Sequence, residues 1–362
     1  MSLRVLVTAD AVGGVWQYAT DLAHALAPIG VEAIVALLGP APSADQRRMA
    51  QGLTLIETGL ALDWLCDGPA AVIAAGDAIA ALAAREGVDL VHLNMPTLAA
   101  QATFAAPTIA VTHGCVATWW EAAHDTPLAA DYHWHRAMTG KGLRAVDRVV
   151  APSAAYAATV ARHYRLSPDP HVIRNGRRPF AVATRAPHDQ VFTAGRLWDR
   201  VKGTDILEAA AARIGIPFLA AGPTTGPHGE TVSPAHLVTL GNLDERALAA
   251  RLAAQPVFVS AATFEPFGLA VLEAAAAGCP LILSDIATFR ELWEGAALFV
   301  DAQDAGGFAD AIETVVGDAG RRHALSTAAA TRALRYRPEA MARDMARLYA
   351  ETLASAAEKA AA

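Results

Sequence analysis

The stretch "LRVLVTADAVGGVWQYATDLAHAL", residues 3 to 26, links an apolar run to a helical pattern through two glycines. Residues 3 to 10 have the apolar character of a buried strand. The apolar residues that follow recur every three or four positions, as on one face of a helix: Val15, Tyr18, Ala19, Leu22 and Leu26. Gly30 ends the helix, so the stretch predicts the first strand and helix of a parallel sheet.

The same alternation of apolar runs and helical patterns extends along the chain. In the first half, further runs lie at 31 to 39, 88 to 94, 108 to 114, 147 to 153 and 171 to 176. The pattern restarts after a linker-like segment at 177 to 189, with runs at 190 to 196, 217 to 222, 237 to 242, 256 to 261, 280 to 286 and 297 to 302. We therefore predict an α/β protein of two doubly wound parallel-sheet domains, 1 to 180 and 181 to 337. An amphipathic helix from Pro338 to about Ser355 is expected to pack back, so that 338 to 362 join the first domain.

Composition and charge argue against some classes of function. The net charge of −7 makes nucleic acid an improbable main partner. No stretch approaches the roughly 20 uninterrupted apolar residues of a membrane span, and "MSLR" leads into a strand without the segments of a signal peptide. We therefore expect a cytoplasmic protein. Residues 131 to 178 carry nine Lys and Arg against three Asp, a net of +6 that would suit an anionic partner.

Ligands of such sheets bind beyond the carboxyl ends of the strands, so residues placed there are the first candidates. Gly13 and Gly14 follow the first strand and open a helix, where backbone N–H groups favour an anion, although a plain tight turn would also explain them. His113 follows the run that starts at 108, and His92 and Asn94 end the preceding run. A histidine at a strand end is often structural, so the residues alone leave its role open.

The second half begins with two cations at a strand end. Arg196 ends the run at 190 to 196, and Lys202, one of only three lysines in the chain, follows six residues later. The planar fork of arginine and the point charge of lysine could together neutralise a diphosphate. Two solvated cations on a loop are the alternative.

Two glutamates stand in the apolar stretch "TFEPFGLAVLEAAAAGCP", residues 263 to 280. Glu265 lies in a loop, and a helix is predicted over 268 to 277. Glu273 lies about five residues into this helix, roughly 7 to 8 Å along the axis from its start. Two hydrogen-bond acceptors at that separation suit two groups of hydroxyls on one elongated ligand. Stabilisation by the helix dipole would explain either carboxylate, but not Phe267, Gly268 and the apolar helix around them.

Together these motifs resemble a known family. The Gly-Gly loop, G-R-x5-K-G at 195 to 203 and E-P-F-G-L-x-x-x-E-A-x-A-x-G-x-P at 265 to 280 are similar to those of the GT-B glycosyltransferases of family 4, retaining enzymes that use nucleotide sugars. The resemblance covers nearly the whole chain. It implies two Rossmann-like domains facing a central cleft, the first on the acceptor side and the second binding the nucleotide sugar. It also implies hexosyl transfer from a UDP- or GDP-sugar to a hydroxyl acceptor, with no cofactor and no divalent metal.

The resemblance implies roles for the two glutamates and the loop between them. Glu273 would accept hydrogen bonds from the ribose hydroxyls of the donor. Glu265 would face the transferred sugar, together with the backbone N–H groups of Phe267, Gly268 and Leu269. The family often has Pro-Ser before the first glutamate, whereas this chain reads "VSAATFE" and so departs from the pattern in the loop but not at the two glutamates.

The remaining matched positions complete the implied donor site. Arg196 and Lys202 would hold the diphosphate and stabilise it as the leaving group, with Gly14 contributing from the first domain. His113 would contact the donor sugar. The segment Gly241–Asn242 would lie at the nucleotide base.

The acceptor and two alternative functions stay open at this point. The acceptor hydroxyl could belong to a small molecule, a glycan or a lipid-linked sugar. The segment 119 to 148 combines aromatic and cationic residues and is the candidate for peripheral contact with the inner face of a membrane. The alternatives are a GT-B epimerase, which would convert a sugar nucleotide without an acceptor, and a catalytically silent protein that binds sugar nucleotides.

Overall fold

The computed structural model describes residues 2–180 and 189–361, which form two compact units. Unit 1 comprises residues 1–177 and 337–362, and unit 2 comprises residues 178–336. The predicted linker at 177 to 189, and with it the predicted domain boundary, falls largely on residues 181–188, which lie outside the described residues.

Each unit contains one parallel sheet. The strands of unit 1 are Leu3–Asp10 (β1), Val31–Leu38 (β2), Thr54–Glu57 (β3), Leu90–Leu93 (β4), Thr108–Val111 (β5), Arg148–Ala151 (β6) and His171–Val172 (β7). Those of unit 2 are Val191–Ala194 (β8), Phe218–Ala221 (β9), Val238–Thr239 (β10), Val257–Ser260 (β11), Leu281–Ser284 (β12) and Leu298–Val300 (β13). The spatial order is β3, β2, β1, β4, β5, β6, β7 in unit 1 and β10, β9, β8, β11, β12, β13 in unit 2. Both orders are those of a doubly wound fold, as predicted.

Helices α1 to α10 lie between strands, as crossovers of parallel strands require, and α11 to α13 follow the last strand. Their bounds are Gly14–Leu26 (α1), Ala44–Met49 (α2), Pro69–Glu86 (α3), Val116–Ala123 (α4), His133–Ala145 (α5), Ala154–Tyr164 (α6), Thr204–Ala211 (α7), Glu245–Leu252 (α8), Leu269–Ala276 (α9), Ala287–Trp293 (α10), Ala305–Gly317 (α11), Ala319–Ala333 (α12) and Pro338–Ala361 (α13). No helix among the described residues combines the length and the apolar character needed to cross a bilayer.

The core of unit 1 joins the two ends of the chain. The predicted apolar face of α1 is there, with Tyr18 and Leu22 buried against Met345 and Tyr349 of α13. Burial of such large side chains contributes about 1.5 to 3 kcal/mol each, which explains why α13 belongs to this unit. The helix continues to Ala361 rather than ending near Ser355, although none of its described residues after Thr352 is buried.

The sequence missed one strand of unit 1. Residues Thr54–Glu57 form β3 at the edge of the sheet, paired with β2. Its two outer residues are exposed and its inner two are half-buried, so it lacks the apolar run by which the buried strands were recognised.

Candidate functional site

The order of strands in unit 2 brings two predicted site residues into contact. β8 and β11 are neighbours, with Val191 opposite Val257, so the loops that follow them meet at the carboxyl edge of the sheet. The first loop carries Lys202 and the second carries Glu265. The Lys202 Nζ donates a hydrogen bond to Glu265 Oε2 at 2.6 Å, and both side chains are about one-fifth exposed.

The two loops are fixed to one another by their backbones. Thr263 N donates to Val201 O at 2.9 Å. Gly203 has φ +65°, and a Cβ there would lie 2.4 Å from Ala261 O. Only glycine permits both the left-handed backbone and this close approach, so Gly203 sets the position of Lys202 beside the second loop.

Arg196 is held at the end of β8 by a residue that sequence reasoning missed. Asp199 is buried, and its Oδ2 accepts a hydrogen bond from Arg196 Nη2 at 2.7 Å, while its side chain also caps the 3-10 helix Arg200–Lys202. The guanidinium carbon of Arg196 lies 5.7 Å from the ring centroid of Trp198. The signal was present in the sequence, because an aspartate three residues after Arg196 and three before Lys202 can organise both.

The N-terminus of α9 offers hydrogen-bond donors beside Glu265. Gly268 precedes the helix with φ +92° and no side chain caps it. Within the described residues, the backbone N–H groups of Phe267, Gly268 and Leu269 have no acceptor. Phe267 is buried, so it can present only its backbone to a ligand. Glu273 lies one turn into α9, half-buried.

Neighbouring strand ends of unit 2 are lined by glycines. Gly195 N donates to Ala221 O, and Gly222 N donates to Gly241 O at 2.8 Å. A Cβ at Gly195 would lie 3.9 Å from the Lys202 side chain, which therefore passes over the end of β8 next to Arg196. Asn242, which follows Gly241, is exposed at this same edge.

In unit 1, the predicted Gly-Gly loop follows β1 at the switch point between β1 and β4. Asp10 Oδ1 accepts hydrogen bonds from Val12 N at 2.9 Å and Gly13 N at 3.1 Å, which shapes the turn into α1. Gly13 has an extended backbone, and no atom lies within 4 Å of where its Cβ would be. The fold itself does not demand glycine at this position, and the turn leaves open space before Gly14 at the start of α1.

His113 lies at the same edge of the unit 1 sheet, in contact with Asn94. Its Nε2 is 2.8 Å from Asn94 Oδ1. Asn94 is fixed to β1 by two bonds, since its Nδ2 donates to Thr8 O at 2.6 Å and its backbone N donates to Thr8 Oγ1 at 2.8 Å. The ring of Tyr18 packs edge-on against His113 with centroids 4.4 Å apart.

His92 lies behind this pair and is fully buried. Its Nε2 is 3.2 Å from Asn94 Oδ1, and its Nδ1 is 2.7 Å from the Tyr349 hydroxyl. Burial lowers the pKa of His92 to about 4, partly offset by the hydrogen bond with Asn94. Burial, and secondly the nearby His92, lower the pKa of His113 to about 3. Both rings are therefore neutral near pH 7.

Each unit thus gathers its predicted residues at the carboxyl edge of its own sheet. In unit 2, Lys202 and Glu265 touch, and Arg196 is oriented beside them. In unit 1, the Gly-Gly loop and His113 follow β1 and β5, on either side of β4 and its Asn94. Cations with free backbone N–H groups suit an anion, and carboxylates and a neutral histidine suit hydroxyl groups.

Family profiles match most of the chain. The profile described as Glycosyltransferase Family 4 matches residues 12–179, and the one described as Glycosyl transferases group 1 matches residues 188–318. Together they cover more than four-fifths of the sequence. A search of curated proteins finds no significant match.

Solved structures resemble the chain along nearly its whole length. A sucrose-phosphate synthase from Thermosynechococcus elongatus has a TM-score of 0.77 at 20% identity, covering 98% of this chain and 100% of that one. HepE of Anabaena, solved with UDP-glucose, has a TM-score of 0.75 at 18% identity, and the match covers 98% of this chain and 100% of HepE. A glycosyltransferase from Rickettsia africae has a TM-score of 0.69 at 17% identity, and the match covers 97% of this chain and 99% of that enzyme. At these identities the likeness shows a shared fold.

Proposed function

This chain belongs to the glycosyltransferases of family 4, group 1, with a GT-B fold, and from that premise we propose that it is a retaining hexosyltransferase that uses a UDP- or GDP-sugar. The observation that carries the proposal is the contact of Lys202 with Glu265, beside Arg196 and the uncapped N-terminus of α9. The acceptor is a hydroxyl group.

Arg196 and Lys202 hold the diphosphate of the donor in this proposal. Asp199 orients the guanidinium, whose fork matches phosphate oxygens, and the Lys202 ammonium adds a point charge. Glu265 neutralises Lys202 while no donor is bound. When the diphosphate arrives, it competes for the ammonium and leaves the Glu265 carboxylate to accept hydrogen bonds from the transferred sugar. The backbone N–H groups of Phe267, Gly268 and Leu269 lie next to that carboxylate and act on the same sugar.

The other predicted residues complete the donor contacts. Glu273 accepts hydrogen bonds from the ribose hydroxyls, and the segment Gly241–Asn242 lies near the base. The Gly13 and Gly14 turn lets the diphosphate approach closely and presents the Gly14 N–H at the start of α1 to it, since the Gly13 N–H is bonded to Asp10. His113, neutral near pH 7, accepts a hydrogen bond from a hydroxyl of the donor sugar.

Transfer breaks the bond between the sugar's anomeric carbon and the diphosphate oxygen, and a new bond to the acceptor oxygen forms on the same face. The bonding electrons leave with the diphosphate, one of whose oxygens takes the acceptor proton. Negative charge therefore grows on the diphosphate, where Arg196 and Lys202 stabilise it. Preorganised donors of this kind are worth about 10²- to 10³-fold in rate each. No divalent metal is needed, because the two cations and the N–H groups supply the stabilisation.

Two similar structures guide the choice of donor. HepE of Anabaena was solved with UDP and with UDP-glucose, and another neighbour is a sucrose-phosphate synthase. A UDP-sugar is therefore the first donor to test. The acceptor hydroxyl belongs to a soluble or a lipid-linked molecule, and sedimentation with anionic vesicles at low salt tests peripheral membrane contact through 119 to 148.

The experiment that tests the function is turnover of a panel of UDP-, GDP- and ADP-sugars by purified protein, followed by release of nucleoside diphosphate with and without EDTA. We expect slow hydrolysis of one donor, unaffected by EDTA and accelerated by the correct acceptor, and NMR should show a product that keeps the donor's anomeric configuration. Interconversion of donor sugars without acceptor would indicate an epimerase instead. Binding of a donor without any turnover would indicate a silent binding protein.

A further inference from the structure

We infer that Asn94 is a positioning residue that holds His113 in one tautomer, with Nδ1 presented as a hydrogen-bond acceptor to a hydroxyl of the bound ligand. The inference concerns residues of unit 1 only. It rests on the proposed function for the identity of that ligand, a donor sugar.

The direction of the hydrogen bonds follows from one contact. The Thr8 carbonyl oxygen can only accept, so the Asn94 atom 2.6 Å from it is the amide nitrogen. The opposite orientation of the amide would place two carbonyl oxygens 2.6 Å apart. Asn94 Oδ1 is therefore the atom that faces the two histidines.

An amide oxygen has no hydrogen to donate, so both histidines must donate to it. His113 Nε2, at 2.8 Å, carries a proton, and so does His92 Nε2, at 3.2 Å. A neutral imidazole carries one proton, which leaves both Nδ1 atoms as acceptors. For His92 the structure supplies the matching donor, because Nδ1 is 2.7 Å from the buried Tyr349 hydroxyl.

For His113 the matching donor is not part of the described chain. Its Nδ1 has no hydrogen-bond partner among residues 2–180 and 189–361, and the residue is half-buried at the ligand edge of the sheet. The arrangement at His92, with Nε2 on Asn94 and Nδ1 on a hydroxyl, is thus repeated at His113 with the hydroxyl left for a ligand. An ether or a deoxy carbon at that point of the ligand would leave Nδ1 unpaired, so Asn94 indirectly selects a free hydroxyl.

The surroundings keep His113 uncharged. The titratable groups that face it are His92 from β4 and Tyr18 from α1, and Tyr349 from α13 lies behind His92. None of these supplies negative charge, because burial raises the pKa of both tyrosines. A carboxylate in place of Asn94 would change this, since an adjacent negative charge favours the imidazolium.

The test is long-range ¹H–¹⁵N NMR of the full chain labelled with ¹⁵N-histidine, with His113 assigned from His113→Gln. We expect the wild-type ring to stay neutral with the proton on Nε2 from pH 8 to 5. In Asn94→Asp we expect a proton on both ring nitrogens at pH 6. Gln101→Glu adds the same charge at an exposed site of unit 1 and should leave the His113 signals unchanged.

A proton on Nδ1 of wild-type His113 at pH 7 would overturn the inference, and His113→Gln is needed only to assign the signals of that ring. A second readout is donor KM. In Asn94→Asp, KM should rise as pH falls from 8 to 6 while kcat changes little, whereas equal losses of kcat at every pH would indicate structural damage and contradict the positioning role. If the spectra agree but no nucleotide sugar binds at all, the proposed function fails while the assignment of His113 stands.

Discussion

The buried His92 makes unit 1 sensitive to acid, and the sign and size of the effect follow from its surroundings. Burial lowers its pKa to about 4 in the folded chain, whereas an unfolded histidine has a pKa of about 6.5. Between these values the unfolded state binds the proton and the folded state does not. The stabilising contribution of neutral His92 is therefore complete above pH 6.5 and is lost as pH falls to about 4.

The magnitude is about 3 kcal/mol over the whole window, from a difference of about 2.5 pKa units at 1.36 kcal/mol each. His113 acts in the same direction, because burial lowers its pKa as well. Urea unfolding from pH 8 to 4.5, followed by tryptophan fluorescence, measures the effect mainly in unit 1, which holds five of the seven tryptophans.

Comparison of wild type with His92→Gln separates the contribution of His92 to the unfolding free energy from that of the carboxylates, which titrate in the same pH range. As pH falls from 7.5 to 4.5, we expect the wild type to lose roughly 2 to 3 kcal/mol more of its unfolding free energy than His92→Gln loses. His323→Gln, which changes an exposed histidine of α12, should give no such shift. Parallel pH dependence of wild type and His92→Gln would mean that His92 does not make unit 1 sensitive to acid.

Three further predictions concern unit 2. Glu265→Gln should not weaken the binding of a nucleoside diphosphate, because loss of the competing carboxylate frees Lys202. It should lower kcat about 10²-fold, because the carboxylate acts on the transferred sugar. Weakened diphosphate binding at unchanged kcat would argue against this. Asp199→Asn should lower kcat about 10-fold, because it weakens the contact that orients Arg196. Arg246→Ala, at an exposed position of α8, is the control and should retain full activity. Steady-state kinetics measure both variants, and an unchanged kcat in Asp199→Asn would contradict the prediction. Gly203→Ala should lower the unfolding free energy measured in urea by about 1 to 3 kcal/mol more than Gly295→Ala does. Both glycines have positive φ, but only Gly203 has a backbone oxygen where a Cβ would lie. Equal losses of unfolding free energy would contradict the close approach of the two loops.

Most of the fold could be predicted from the sequence because buried parallel strands are continuous apolar runs. The first strand was placed at its observed bounds, Leu3–Asp10, and α9 within one residue at each end. The edge strand Thr54–Glu57 was missed because half of its surface faces solvent, which removes the apolar signal. The end of α13 was misplaced because its pattern weakens toward small residues while the helix continues.

The sequence predicted the site residues that lie directly at the carboxyl ends of strands, but not the contacts between them. Arg196 and His113 follow from the position of strand ends, which the apolar runs reveal. The contact between Lys202 and Glu265 joins residues 63 positions apart, and it depends on β8 lying beside β11, which no local pattern encodes. Asp199 and Asn94 act through other side chains; the spacing of Asp199 from Arg196 and Lys202 was a signal that went unused, and the role of Asn94 became visible only with its hydrogen bonds.

In the proposed function, the carboxyl edge of the unit 2 sheet binds the diphosphate of a nucleotide sugar. Calorimetric titration of UDP, GDP and ADP into wild type, Lys202→Ala and the Arg246→Ala control measures this binding. We predict saturable binding of at least one nucleotide by wild type and the control, and at least a 10-fold larger Kd in Lys202→Ala. Undiminished affinity in Lys202→Ala, or no binding of any of the three by wild type, would mean that this edge does not bind the diphosphate.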